Sequence, residues 1–451
     1  MGIKQFQRII LFLSFILMIT ASALFAQNPI IQNQFTADPT ARVFGDKVYL
    51  YPSHDIPTPS GLNLRKDWFC MEDYHVFSSS NLTDWTDHGV IVSQTSVPWA
   101  NPKAYSMWAP DCIFKNGKYY FYFPTAPDST FEKGFAIGVA VAENPFGPFK
   151  PAFKPIKKAQ GIDPNVFVDK DGQAYLYWSG RNFMVAKLKD NMTELASEPQ
   201  FIDNLPEKGL KEGHFLFERK GTYYLTYPHV ENKIERLEYA IGKSPVGPFK
   251  MAGVIMDESP TGCWTNHQSV VNFRNQWYLF YHSNDLSPKF DKNRSVRIDS
   301  LFFNTDGTIR KVIPTFRGIG ITKASNQIQI DRFSRISKKG ASIAFIDSLN
   351  TFGGWKTVFD TKNAWVQYNS VDFGQKKFKN INLRVISKTG CILQLRLNGL
   401  NSSVITNIKI PKGEMWQTVK VPVTGLKSGI QNLVLSLAGD NAVEIDWISF
   451  D

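Results

Sequence analysis

One short phrase returns five times along the chain: a polar or acidic residue, a few apolar residues, a turn, and an aromatic-rich run. Its copies are residues 38–51 (DPTARVFGDKVYLY), 111–123 (DCIFKNGKYYFYF), 163–178 (DPNVFVDKDGQAYLYW), 212–227 (EGHFLFERKGTYYLTY) and 267–281 (HQSVVNFRNQWYLFY). After a longer first gap the copies begin about 50 residues apart, a period that predicts propeller blades. Each copy reads as a β-hairpin, with turns such as Asn116-Gly117 and Asp171-Gly172 between alternating runs. A second strand pair follows each hairpin. Two nearly interchangeable segments, Pro145-Phe-Gly-Pro-Phe149 and Pro245-Val-Gly-Pro-Phe249, read as turns that end one unit and aim the chain at the next. The prediction is an all-β chain whose residues 27–320 form a five-bladed β-propeller. Equivalent positions on innermost strands converge on an axis, so Asp38, Asp163 and Glu212 are expected to face one central pit. Asp-Pro is also a common turn opener, but three acids in register across a repeat favour the pit.

The flanking segments are of other kinds. Lys4 and Arg8 precede an apolar run and then small residues, the pattern of a secretory signal peptide over residues 1–26, with cleavage expected after Ala26. No later apolar stretch is long enough to span a bilayer, so the mature protein is expected to be secreted or periplasmic, with no membrane span. Residues 321–451 lack the blade phrase and carry short alternating runs, at 380–386, 392–397, 418–423, 432–437 and 442–450. They predict a jelly-roll-like β-sandwich whose last strand closes its sheet.

Composition excludes some functions. The net charge of +11 falls to +9 once Lys4 and Arg8 leave (11 − 2), and no dense basic run would track phosphates, so nucleic acid is not an expected partner. Cys70, Cys112, Cys263 and Cys391 are too few and scattered for a disulfide framework. They read as buried free thiols, and no Cys/His spacing suggests zinc.

Two carboxylates across a pit suit glycoside hydrolysis, in which one acid protonates the leaving oxygen and one base activates water. Acids on opposite blades would stand well apart, and a gap of about 6.5–9.5 Å admits a water and inverts the anomeric centre. Glu212 sits beside Gly213, His214 and Phe215, a setting that would raise its pKa and keep its proton. Asp38 is expected to remain ionised as the base, and Asp163 to tune Glu212 and orient the sugar.

Several ordered segments carry a resemblance. Asp38-Pro39, Met107-Trp-Ala-Pro-Asp111, Gly161-Ile-Asp-Pro-Asn165, Lys211-Glu-Gly213, Asn266-His267 and Arg297 ahead of Phe303-Asn-Thr-Asp-Gly307 are similar to the motifs of glycoside hydrolase family 43. The resemblance implies Asp38 as general base, Asp163 as pKa modulator and Glu212 as general acid. It further implies that His267 helps hold an axial ion through water, and that Arg297 contacts substrate or the acid. His214 departs from the family's usual proline and would perturb Glu212 or touch substrate. The C-terminal segment resembles carbohydrate-binding module family 6 at residues 328–333, 365–374, 415–418 and 445–447. That likeness implies Trp355 and Trp365 in a sugar cleft, because flat rings stack on sugars; a core position is the competing reading for either. Gln329, Asp331 and Asp446 would supply oxygens to a structural Ca²⁺, Asp331 standing where the family has glutamate. No cofactor is expected for the chemistry itself.

Trp108 and Trp264 each lie three residues before a repeat start, near the axial mouth, and are expected to touch sugar. His54-Asp55 and Glu72-Asp73 flank blade strands and read equally as subsite polarity or solvated loop. The sequence therefore predicts a monomeric, exported, inverting hydrolase. The family resemblance implies as its partner an arabinose- or xylose-containing polysaccharide or oligosaccharide, cut by α-L-arabinofuranosidase or β-xylosidase action. Two alternatives stay open: a non-catalytic sugar-binding propeller, and a retaining fructan-type propeller hydrolase.

Overall fold

Alternation of period two, rich in Tyr, Phe and Val, gives each copy of the phrase two strands and a tight turn. In the computed structural model, which describes residues 28–451 apart from 62–66, 130–133, 181, 207, 210, 260, 350–353 and 376, every copy forms that hairpin. The expected signal peptide lies outside the described residues. The five hairpins are Ala37–Phe44 with Lys47–Ser53, Asp111–Lys115 with Lys118–Thr125, Ile162–Val168 with Ala174–Ser179, Phe215–Arg219 with Thr222–Val230, and Ser269–Phe273 with Gln276–Ser283. Each continues into an antiparallel meander; four of these sheets have four strands and the last has three. No α-helix occurs among the described residues.

The sheets pack face to face in succession. Tyr51 and Phe121 share one apolar cluster, Tyr122 and Leu176 the next, Tyr177 and Leu225 a third, Tyr224 and Leu279 a fourth, and Leu50 and Phe280 a fifth. Burying one such side chain contributes about 1.5–3 kcal/mol, so the inter-sheet layers carry most of the stability. Polar bonds link the leading strands as well. Thr40 Oγ1 donates to the Pro110 carbonyl at 2.7 Å, and Asn165 Oδ1 accepts the Leu216 N–H at 2.9 Å. Gln268 Nε2 donates to the Gly213 carbonyl at 3.0 Å, and Ser269 Oγ to the Pro39 carbonyl at 2.7 Å. Asp111, the acid that opens the second copy, is fully buried and accepts from Arg42 Nε, Asn165 Nδ2 and the Val166 N–H at 3.0, 2.9 and 2.6 Å. It joins three leading strands.

The C-terminal segment forms two six-stranded sheets around one apolar core. One contains Trp365–Asp372, Ile430–Leu437, Cys391–Leu397 and Thr406–Ile410; the other contains Trp355–Phe359, Val443–Phe450, Asn380–Ile386 and Gln417–Pro422. These contain or nearly coincide with the predicted runs. The four cysteines are free and buried.

A seam joins this sandwich to the preceding sheets. Arg332 Nη1 donates to the Asn28 carbonyl, and the Arg317 N–H donates to the Phe333 carbonyl at 3.0 Å. Phe316 lies between the two parts, its ring 5.5 Å from Phe333 and 6.1 Å from Trp355, with the Arg297 guanidinium 4.3 Å above it.

Candidate active site

Asp38 and Asp163 hold their carboxylates in place by an unusual backbone. Their φ angles are 45° and 55°, the left-handed region that Asp tolerates better than most residues. Each begins or nearly begins a leading strand, so the turn aims its side chain off the strand end and into a common pit. Glu212 reaches the same pit from the residue before Gly213, whose φ is 58°. A Cβ at Gly213 would stand 2.9 Å from His267 Nδ1, so glycine is required there for the histidine to approach.

The pit is lined by Asp38, Asp163 and Glu212 together with Trp108, His267, Arg294, Phe69, Met71, Ala109, Ile162, Thr265 and Asn266. Asp38 is buried. Its Oδ1 accepts from Arg294 Nη1 at 2.7 Å, and its Oδ2 accepts from Arg294 Nη2 at 3.2 Å and Ser53 Oγ at 2.8 Å. Its N–H donates to His282 Nδ1 at 3.0 Å, while His282 Nε2 lies 3.1 Å from the Thr265 carbonyl, which makes Nε2 the protonated nitrogen. Burial alone would raise the Asp38 pKa, but Arg294, the two histidines and Ser53 outweigh it and hold the group at about 2. It is a permanent anion near neutral pH.

Asp163 and Glu212 behave oppositely. Burial, then the Glu212 and Asp38 charges, push Asp163 well above the usual carboxylate range, although the Gly213 N–H donates to its Oδ2 at 2.9 Å. Burial and the Asp38 charge lift half-buried Glu212 to about 7. Each charge opposes the other, so the pair retains one proton near neutrality. An ionised carboxylate and a proton-bearing pair in one pit can act as base and acid.

A further acid was not expected there. Glu235, fully buried at the start of Glu235–Gly242, accepts the Asn266 N–H at 2.5 Å and stands near enough to Glu212 for the two carboxyls to interact. Burial, followed by the Glu212 charge, pushes its pKa well above the usual carboxylate range. The one available signal was an acid at the first position of a strand.

The aromatic wall is partly as expected. Trp108 lines the pit; its carbonyl accepts from Tyr74 Oη at 2.6 Å and its ring packs on Phe135 at 4.5 Å and Phe69 at 6.1 Å. Trp264 stands beside the lining rather than in it. The Lys292 ammonium lies 5.9 Å from its ring and 5.8 Å from Phe69.

Three expectations are corrected. Arg297 is not in the pit: its guanidinium grips Asp285, with Nε 2.7 Å from Oδ2, and stacks on Phe316 at the seam. Strand Ser295–Leu301 pairs Ser295 with Ser283 at its pit end, and Arg297 lies two residues further along, opposite Tyr281. Arg294, just before that strand, is the arginine at pit level, bridging Asp38 and Asp55, whose Oδ2 accepts from Nε at 2.9 Å. His214 is 1 % exposed and packs 4.5 Å from the Phe183 ring, out of reach of a substrate; burial lowers its pKa to about 3. Trp355 lies against Phe345 at 4.0 Å and against Phe316, so it belongs to the seam rather than a sugar cleft.

Trp365 is half-buried on the other sheet, cross-strand from Ser436. Its polar neighbours are bonded together: Arg396 donates to Ser436 Oγ at 2.7 Å and to Gln394 Oε1 at 2.8 Å. The backbone links the segments that carry Gln329, Asp331 and Asp446: the Ile330 N–H donates to the Asp446 carbonyl at 3.2 Å and the Arg332 N–H to the Gln329 carbonyl at 3.0 Å. Asp331 Oδ2 pairs with Arg332 Nε at 3.1 Å, its Oδ1 is buried without a hydrogen-bond partner, and burial raises this carboxyl to about 7. Asp446 meets the partly exposed Arg384. A buried carboxylate oxygen without a partner is the kind of hard ligand that calcium takes. His267, buried and held near pKa 4 first by that burial, keeps a neutral imidazole able to bond a water on an ion.

Comparison with known proteins fixes the class. The model of glycosyl hydrolases family 43 matches residues 26–309, and that of carbohydrate binding module family 6 matches residues 337–451. The chain belongs to glycosyl hydrolase family 43, and it is a glycosidase with an appended carbohydrate-binding module. It is 39% identical to a xylosidase/arabinosidase of Humicola insolens, over 62% of this chain and 98% of the relative. An arabinoxylan arabinofuranohydrolase of Bacillus subtilis is 26% identical over 94% and 92% of the two chains. Among solved structures, a β-xylosidase/α-arabinofuranosidase from a compost microbial metagenome, in complex with xylotriose, superposes with a TM-score of 0.58 at 36% identity, covering 64% of this chain and 97% of that one.

Proposed function

We propose that the five sheets close into a five-bladed propeller and that the protein is an exported, monomeric, inverting hydrolase that releases L-arabinose or D-xylose from hemicellulose. The bonds between successive leading strands, with the fifth bonded back to the first through Ser269 and Pro39, support the closed ring. The observation that carries the chemistry is the contrast in one pit between Asp38, held ionised at about 2, and Glu212, raised to about 7. The pentose reading draws on the xylosidases and arabinofuranosidases to which the chain is similar.

In this reading, Glu212 gives its proton to the glycosidic oxygen as the bond to the anomeric carbon lengthens. Asp38 takes a proton from the attacking water on the opposite face; its oxygens accept three bonds from Arg294 and Ser53, leaving lone-pair capacity for that water. Asp163 keeps the Glu212 proton available, Trp108 offers a ring to the sugar, and Trp264 serves at the rim. Trp365 is the sugar platform of the sandwich. Gln329, Asp331 and Asp446 would hold a structural Ca²⁺, and His267 would bond an axial ion through water; neither ion takes part in proton transfer.

Proton NMR of the first-formed sugar, recorded before mutarotation, tests the mechanism. The expected product has the anomeric configuration opposite to the bond cleaved. Retention would instead mean a covalent intermediate and a fructan-type mechanism. No turnover of aryl xylosides or arabinofuranosides by folded protein would leave a sugar-binding propeller.

A further inference from the structure

We infer that His54, Asp73 and His75 form a binding site for a borderline divalent metal of the zinc type, outside the pit, which ties together the second and third strands of the first sheet beside the Asp55–Met71 bridge. Strand Lys47–Ser53 pairs with Asp73–Ser79 in a register that runs Val48↔Ser79, Tyr49↔Ser78 and Leu50↔Phe77. Extended along the strands, that register sets His54 opposite Asp73, beyond the last recorded pair. Asp73 and His75, two residues apart, share a face of the sheet. One ligand atom from each of the three residues lies within 4.8 Å of the other two. His54 Nδ1 is 2.7 Å and His75 Nε2 4.0 Å from the same oxygen, Asp73 Oδ1. Zinc–nitrogen and zinc–oxygen bonds of about 2.0–2.2 Å put tetrahedral ligands about 3.3–3.5 Å apart. The two measured spacings straddle that value, so small side-chain rotations admit the ion.

Orientation is the stronger argument. His75 Nδ1 faces Asp87, 3.0 Å from Oδ1 and 3.2 Å from Oδ2, and Asp87 Oδ1 also accepts the Gly89 N–H at 2.8 Å. A carboxylate on Nδ1 fixes the proton there and turns the Nε2 lone pair toward Asp73, the supporting arrangement that metal-binding histidines characteristically carry. The side chains are 18, 13 and 16% exposed for His54, Asp73 and His75, which leaves a water the fourth position. Two imidazoles disfavour calcium and magnesium. The ion would sit beside the Asp55–Met71 bridge, whose Met71 lines the pit wall. It would add a cross-link between the two strands and take no part in the chemistry.

The test is zinc binding by the metal-free full chain, read by elemental analysis after dialysis and by the visible absorption of the cobalt form. Wild type should hold one equivalent more than His75→Gln or Asp73→Asn, and both variants should lose the tetrahedral cobalt bands. His267→Asn should keep them. Asp87→Asn, which spares all three ligands, should weaken zinc about 10–100-fold. Unchanged stoichiometry in folded His75→Gln and Asp73→Asn would overturn the inference, as would loss of the bands in His267→Asn alone.

Discussion

Asp38 and Arg294, 256 residues apart in sequence, meet in a buried two-pronged ion pair at the candidate active site. The pairing ties the first leading strand to the segment that enters the third strand of the last sheet: the Asp38 carboxylate is kept ionised by an arginine from the far end of the repeat.

Removing either proton-transfer partner should abolish most turnover in folded protein. Asp38→Asn and Glu212→Gln should each lower kcat on natural oligosaccharides by about 10²–10⁴-fold. Glu212→Gln should lose far less on a substrate whose leaving group is a nitrophenolate, since that group needs no proton. Steady-state kinetics on both substrate types, with circular dichroism for folding, checks this.

The pH profile should be bell-shaped in kcat/KM. Asp38 must be ionised, so activity rises with pH through its value of about 2; Glu212 must be protonated, so activity falls as pH passes about 7. Asp163 and Glu212 share a proton, so Asp163→Asn, which ends the repulsion between their charges, should move the alkaline limb to lower pH. A limb that stayed in place would remove Asp163 from that role.

Arg294 and Arg297 separate on the acid limb. Losing either strands a buried carboxylate and should cost about 3–5 kcal/mol of stability. Only Arg294→Met deprives Asp38 of its cation, so only that variant should shift the acid limb upward. Arg297→Met should lower the Tm and leave the limb where it was.

In the sandwich, Trp365→Ala should weaken binding to soluble arabinoxylan by about tenfold, given about 0.5–1.5 kcal/mol for an aromatic contact beyond its area. Trp355→Ala should lower the Tm without altering that affinity. Titration calorimetry and thermal melts on the full chain distinguish the two.

Much of this was legible because period-two alternation survives in the sequence. The run at 380–386 coincides with strand Asn380–Ile386, and each aromatic phrase forms its hairpin. Asp38, Asp163 and Glu212 were legible because a repeat puts like positions at like depth. Arg294 was not, because choosing between two arginines three residues apart needs the level at which Ser283 pairs with Ser295. Glu235 was hidden because an acid that opens a strand looks solvated until its burial is known. Trp355 was misplaced because its partner, Phe316, lies outside any repeat and only the tertiary contact identifies the seam.

That seam limits how freely the two parts can be recombined. Phe316 is covered on one side by Trp355 and on the other by Arg297, and Arg332 reaches across to Asn28. A chimera cut at residue 320 and given a foreign binding module would uncover an aromatic ring and strip a carbonyl of its guanidinium. The transplantable unit therefore includes the docking face, and a replacement module must supply a counterpart for both contacts.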